Sequence, residues 1–123
     1  MELQKLEYDF TVCQIDNAGI GQIDFTKEFV FLSKTDDEIS LVCESCCAPS
    51  NTVALEAGWK ALKIAGVLNF EMIGVITKIA NILSDAGVSI FVISTYNTDY
   101  ILVKAENFEK SAQALMNHGY TIK

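Results

Sequence analysis

Two short segments hold most of the chemistry that this sequence offers. Val67-Leu68-Asn69-Phe70-Glu71-Met72-Ile73-Gly74 reads as the turn from a strand into a helix. Such a turn presents free backbone N–H groups at the positive end of the helix, which suits a carboxylate. Ser94-Thr95-Tyr96-Asn97-Thr98-Asp99 supplies hydroxyls, an amide and one carboxylate between two apolar runs. A zwitterion needs donors for its carboxylate and an acceptor for its ammonium, and the two segments together hold both. The same residues also read as a capped helix and an ordinary polar hairpin, and the sequence leaves both readings open.

No catalytic constellation is expected, so the chain reads as a binder and not an enzyme. The single His, His118, stands at a helix C-terminus, where the negative end of the helix dipole favours it, and no nucleophile or orienting acid accompanies it. Asp36-Asp37-Glu38 falls in a hairpin turn, where solvated acids are common. Cys13, Cys43, Cys46 and Cys47 read as free structural thiols. Cys43-x-x-Cys46 has the spacing of half a metal site, but its only possible His partner is far away in sequence. No metal and no cofactor are expected.

Composition narrows the partners. The net charge is -7, and all nine basic residues are Lys. A nucleic-acid partner calls for a basic face, and recognition of anions by a bidentate fork calls for Arg. Neither is present. No run reaches the roughly 18 apolar residues of a membrane span, and the first residues lack the pattern of a signal peptide. No membrane partner is expected, and the expected location is the cytoplasm. Half of the 123 residues are hydrophobic, enough for one compact core or two small packed halves.

The elements that must position the two segments read most clearly in the second half. Trp59 to Ala65 alternates as a half-buried strand, and Asn69 can cap a helix over 70–86. Val88 to Ser94 and Tyr100 to Val103 read as strands around the polar turn. A helix follows over 108–118, stopped by Gly119, and then a short strand over 120–122. The order is βαββαβ, the ferredoxin-like split unit, which makes the fold α+β. In the first half, strands are expected over 6–15 and 28–34. The Gly-rich stretch Asn17 to Gly21 marks a lost helix, and 50–57 reads as a shortened one. Leu32 to Val42 aligns with Ile93 to Val103 at an offset of 61 residues, which also carries Gly58-Trp59 onto Gly119-Tyr120. We read this as an internal duplication with a degenerate first repeat, 1–58, and a complete second one, 59–123.

Residues 59–123, opening on Gly-Trp-Lys and carrying Ser-Thr-Tyr-Asn-Thr-Asp-Tyr-Ile-Leu-Val, closely resemble the small bacterial ACT-domain proteins. Asp37-Glu38-Ile39-Ser40-Leu41-Val42 looks like the N-terminal half of the same proteins. That family is related to the ACT domains of aspartokinase and of the cytosolic arginine sensors of animals. The resemblance implies tandem ACT units, with helices on one face of an antiparallel sheet, that bind an amino acid in a regulatory role. It implies a ligand set of Asn69, Phe70, Glu71, Met72, Ile73 and Gly74 from the loop, with Ser94, Thr95 and Asp99 nearby. The apolar residues Phe70, Met72 and Ile73 depart from the acidic, Gly-containing loop of many effector-binding members. A module that serves only as a structural or protein-interaction unit is the alternative. A homodimer is expected, because the stripe Val75, Ile79 and Ile82 needs cover, and a regulated protein partner is possible.

Overall fold

A computed structural model of the chain describes residues 1–66 and 74–123. The described strands are β1 (Glu2–Lys5), β2 (Phe10–Ile15), β3 (Val30–Lys34), β4 (Ile39–Glu44), β5 (Ala54–Ile64), β6 (Phe91–Ser94), β7 (Asp99–Lys104) and β8 (Thr121–Ile122). The helices are α1 (Asn17–Ile20), α2 (Val75–Asp85) and α3 (Phe108–Asn117). Short 3-10 turns, Ser45–Cys47 and Ala105–Asn107, follow β4 and β7. The fold is α+β, as expected. The chain divides into two compact units, one of Met1–Glu7 with Lys60–Lys123 and one of Tyr8–Trp59, and the division falls inside β5. Met1–Glu7 thus packs with the later residues.

In the larger unit the strands run in the order β6, β7, β5, β1, β8. β1 pairs antiparallel with β5 and parallel with β8. Successive strand residues point to opposite faces, so Leu3, then Leu62 and Ile64, then Ile101 and Val103 share one face. Ile79 and Leu83 of α2 and Phe108, Ala112 and Leu115 of α3 pack on that same face. Most of these side chains are wholly buried, and burial of each contributes about 1.5–3 kcal/mol. Both helices therefore lie on one side of the sheet. Ile79 has no exposed surface, and Val75 and Ile82 pack against the same cluster. The stripe expected to need a second subunit is covered largely within its own unit.

In the smaller unit β4 lies between β2 and β3, and all its pairs are antiparallel. Cys13, Ile15, Ile39, Leu41 and Cys43 form its core, with Ile20, Ile23, Val30 and Ala48 against them. Three readings of this half are corrected. The stretch read as a lost helix keeps one helical turn, Asn17–Ile20, whose Gly19 N–H donates to the Asp16 carboxylate at 3.1 Å. Residues 50–57 hold no shortened helix: the 3-10 turn lies earlier, at Ser45–Cys47, and β5 already starts at Ala54. Val53 N–H bonds to the Gln14 carbonyl (2.7 Å) and leads the chain into pairing with β2. Gly58, matched in sequence to a helix terminator, lies within β5 instead. It takes φ +84° where the β2–β5 register slips between Phe10 and Val12, a β-bulge that a left-handed glycine accommodates.

The β3–β4 and β6–β7 hairpins share one pairing pattern, at an offset that differs from the one read in the sequence. Lys34 pairs with Ile39 and Phe31 with Val42, while Ser94 pairs with Asp99 and Phe91 with Leu102. The equivalent residues are therefore 60 apart, not 61. The 3-10 turns at Ser45–Cys47 and Ala105–Asn107 keep the same spacing.

Candidate functional site

The expected ligand set is only partly within the described residues. Asn69, Phe70, Glu71, Met72 and Ile73 lie outside them. Gly74 is the N-cap of α2 at φ +79°, a left-handed conformation that needs glycine, and its carbonyl accepts the Lys78 N–H at 3.0 Å. The expected cap, Asn69, lies outside the described residues, and Gly74 is the residue that enters α2.

Ser94, Thr95 and Asp99 come together at the tip of the β6–β7 hairpin. Ser94 and Asp99 are its last register pair. The turn closes with the Thr95 N–H donating to the Thr98 carbonyl (2.9 Å), and the Thr95 hydroxyl donates to that same oxygen (3.0 Å). Ser94 and Thr95 are exposed and Asp99 is half-buried. Thr98, which sequence reasoning left as one turn residue among several, fixes the arrangement. It is 2% exposed, and its hydroxyl donates to the Ile64 carbonyl at 2.9 Å. Ile64 is the last residue of β5, so this bond ties the hairpin tip to the point where the chain leaves β5 toward α2. The signal in the sequence was a β-branched hydroxyl residue immediately before an acid and an apolar strand.

A second feature was not expected. An open cavity of about 300 Å³ lies at the start of α2, lined by Met1, Val75, Lys78, His118, Gly119 and Tyr120. Lys78 contributes a cation and Tyr120 a phenol. The His118 ring bonds through Nδ1 to the Ala114 carbonyl (2.9 Å); a carbonyl only accepts, so Nδ1 carries the proton. His118 is also the C-cap residue of α3, in keeping with its expected capping role. Ser94, Thr95 and Asp99 do not line this cavity. Burial raises the phenol of Tyr100, which pairs with Ile93 within the hairpin, above its ordinary value.

The comparisons with known proteins agree with this architecture. Residues 54–117 match the model of the ACT domain family, just over half of the chain. The chain belongs to that family. No match is found among curated protein sequences. Among solved structures, a protein of Agrobacterium tumefaciens is similar with TM-score 0.83 and 29% identity, over 99% of this chain and 91% of that one. The regulatory subunit of aspartate kinase from Thermus thermophilus is similar with TM-score 0.63 and 12% identity, over 94% and 95%. Aspartate kinase from Clostridium acetobutylicum matches with TM-score 0.63 and 20% identity, over 94% of this chain but 33% of the kinase.

Proposed function

We propose that this chain is a regulatory module that binds a small amino acid and carries out no catalysis. The observation that carries the reading is the Thr98–Ile64 bond. It holds the hairpin that displays Ser94, Thr95 and Asp99 at the end of β5, from which the strand–helix connection departs. Ser94 and Thr95 hydroxyls and the Asp99 carboxylate supply acceptors for an ammonium. The backbone at the start of α2 supplies donors for a carboxylate. The full ligand set is Asn69, Phe70, Glu71, Met72, Ile73 and Gly74 with Ser94, Thr95 and Asp99. Membership of the ACT family and the likeness to a regulatory subunit of aspartate kinase support a role in regulation.

The ligand acts by favouring one state of an assembly or of a partner protein over another, which requires different affinities for the two. The assembly belonging to this reading is a homodimer. With the α2 stripe covered, we assign the contact to β6, which pairs only with β7 among the described residues and carries exposed Val92. Such an edge favours pairing with another strand. No described helix is long and apolar enough to cross a membrane, and the reading places the protein in the cytoplasm.

Equilibrium dialysis of the full chain against labelled amino acids tests the reading. Retention of one amino acid, lost in Asp99→Asn, supports it. Failure to retain any of the twenty would favour the structural or interaction module.

A further inference from the structure

The smaller unit holds a cluster that the ligand reading does not use. β4 ends at Glu44, and the 3-10 turn Ser45–Cys47 follows directly. The turn is fixed at its start. Ser45 N–H bonds to the Asp9 carbonyl (2.8 Å), and the Ser45 and Thr11 hydroxyls bond to each other at 2.8 Å. Glu44 is 4% exposed, and one of its oxygens accepts the Phe29 N–H at 3.0 Å. From this frame the two thiols project side by side, Cys46 exposed and Cys47 half-buried, with their sulfurs 3.1 Å apart. A Glu44 carboxylate oxygen and both sulfurs lie within 4.8 Å of one another.

The geometry points to a binding site for Zn²⁺ made by Cys46 Sγ, Cys47 Sγ and the Glu44 carboxylate. Two thiolates and one carboxylate suit this borderline-soft ion, and three protein ligands leave the fourth tetrahedral position to water. Thiolates bound at about 2.3 Å in a tetrahedron stand roughly 3.8 Å apart. The pair must therefore open by about 0.7 Å, within reach of a small side-chain rotation at an exposed position. Burial of Glu44 lowers the local dielectric and strengthens its attraction to a cation. The pair differs from the Cys43-x-x-Cys46 spacing noted in the sequence. Cys43 belongs to the core of β4, where burial pushes its thiol up to about 12 and keeps it protonated. Binding replaces the two thiol protons with one ion, so about two protons leave for each Zn²⁺ bound, and affinity rises with pH.

The test uses the full chain in a non-thiol reductant, titrated with Co²⁺ as a coloured substitute and then competed with Zn²⁺. The expected result is one equivalent of Co²⁺ with a thiolate-to-cobalt absorption band that Zn²⁺ abolishes. Cys46→Ser and Cys47→Ser should each weaken binding by at least the 10–100-fold, approximately, that loss of even an outer-shell partner costs. Cys46 is exposed, so Cys46→Ser should melt like the parent chain without metal. Glu44→Gln keeps an acceptor for Phe29 and should fold, yet bind at least roughly tenfold more weakly. Absence of a saturable band would overturn the site, as would unchanged affinity in either cysteine variant or in Glu44→Gln.

Discussion

The Thr98 hydroxyl and the Ile64 carbonyl, 34 residues apart in sequence, share a buried hydrogen bond of 2.9 Å. It joins the tip of one hairpin to the end of the strand that leads into α2, and among the described residues it has no counterpart in the first hairpin. There the equivalent position is Glu38, which is exposed, although its carbonyl closes the turn to the Thr35 N–H in the same way (2.9 Å). The turn itself is common to both hairpins; among the described residues the anchor belongs to the second alone.

Thr98→Val keeps the shape of the side chain but leaves the Ile64 carbonyl without this donor. A buried group left unsatisfied costs about 1–3 kcal/mol. Urea unfolding should show a loss of that size at unchanged slope, while Thr98→Ser stays near the parent value. Equal stability of Thr98→Val and the parent would mean that another donor, or water, replaces the hydroxyl.

Asp99→Asn separates binding from folding. Asp99 is half-buried in the first position of β7, and the amide keeps its shape without the charge. A charge-assisted hydrogen bond contributes about 1.5–3 kcal/mol, so ligand affinity should fall roughly tenfold or more. The unfolding midpoint should move little. A lower midpoint with unchanged affinity would assign Asp99 a structural role.

Tyr8 provides a pH signature. Its hydroxyl donates to Glu28 Oε2 at 2.6 Å, and that bond, with the carboxylate's charge, pushes the phenol up to about 12 from its ordinary 10.0. The folded pKa is the raised one. The bond's contribution is therefore present below the ordinary value and is lost as pH rises through about 12. Tyrosinate absorbance should show the Tyr8 phenol titrating at about 12, and Glu28→Gln should bring it back toward its ordinary value while leaving Tyr100, which burial raises, unchanged. Unchanged titration in Glu28→Gln would rule out the carboxylate as the cause.

The four thiols should divide in two. Cys13 and Cys43 are core residues whose thiols burial pushes up, Cys43 to about 12. Cys46 is exposed and Cys47 half-buried. A thiol reagent at neutral pH should label two residues quickly and the other two only after denaturation, with Cys46 faster than Cys47, whose thiol is raised chiefly by its hydrogen bond to Cys46. Four fast thiols would contradict the packing of β2 against β4.

The elements of the second half were legible because their periods are clean: alternation along 59–65 and three-four spacing over 75–86. The likeness of the two hairpins was legible as well, but not its register. At an offset of 61, Ser33 falls on Ser94 and Leu41-Val42 on Leu102-Val103; backbone pairing instead puts Thr35 on Thr95 and Leu41 on Ile101. A slip of one residue normally turns a strand inside out. Here Leu41, Val42 and Cys43, like Ile101, Leu102 and Val103, are buried on both faces. Apolar pattern alone therefore could not choose between the two offsets. The candidate site was legible as a polar turn, whereas its anchor was not, because the partner of Thr98 is a backbone carbonyl on a distant strand. Lys78 and Tyr120 were missed for a related reason: they lie far apart in sequence and line one cavity only in the folded unit. The extra strand β1 was hidden because Glu2–Lys5 buries only Leu3.

Thermal unfolding of the chain in each of the twenty amino acids tests the central claim most directly. A ligand at about 100 times its dissociation constant stabilises the folded state by about 2.7 kcal/mol. The account predicts that one amino acid, or a few of similar shape, raises the midpoint in a concentration-dependent way, and that Asp99→Asn reduces the rise. A midpoint that no amino acid moves, at concentrations up to the millimolar range, would contradict it.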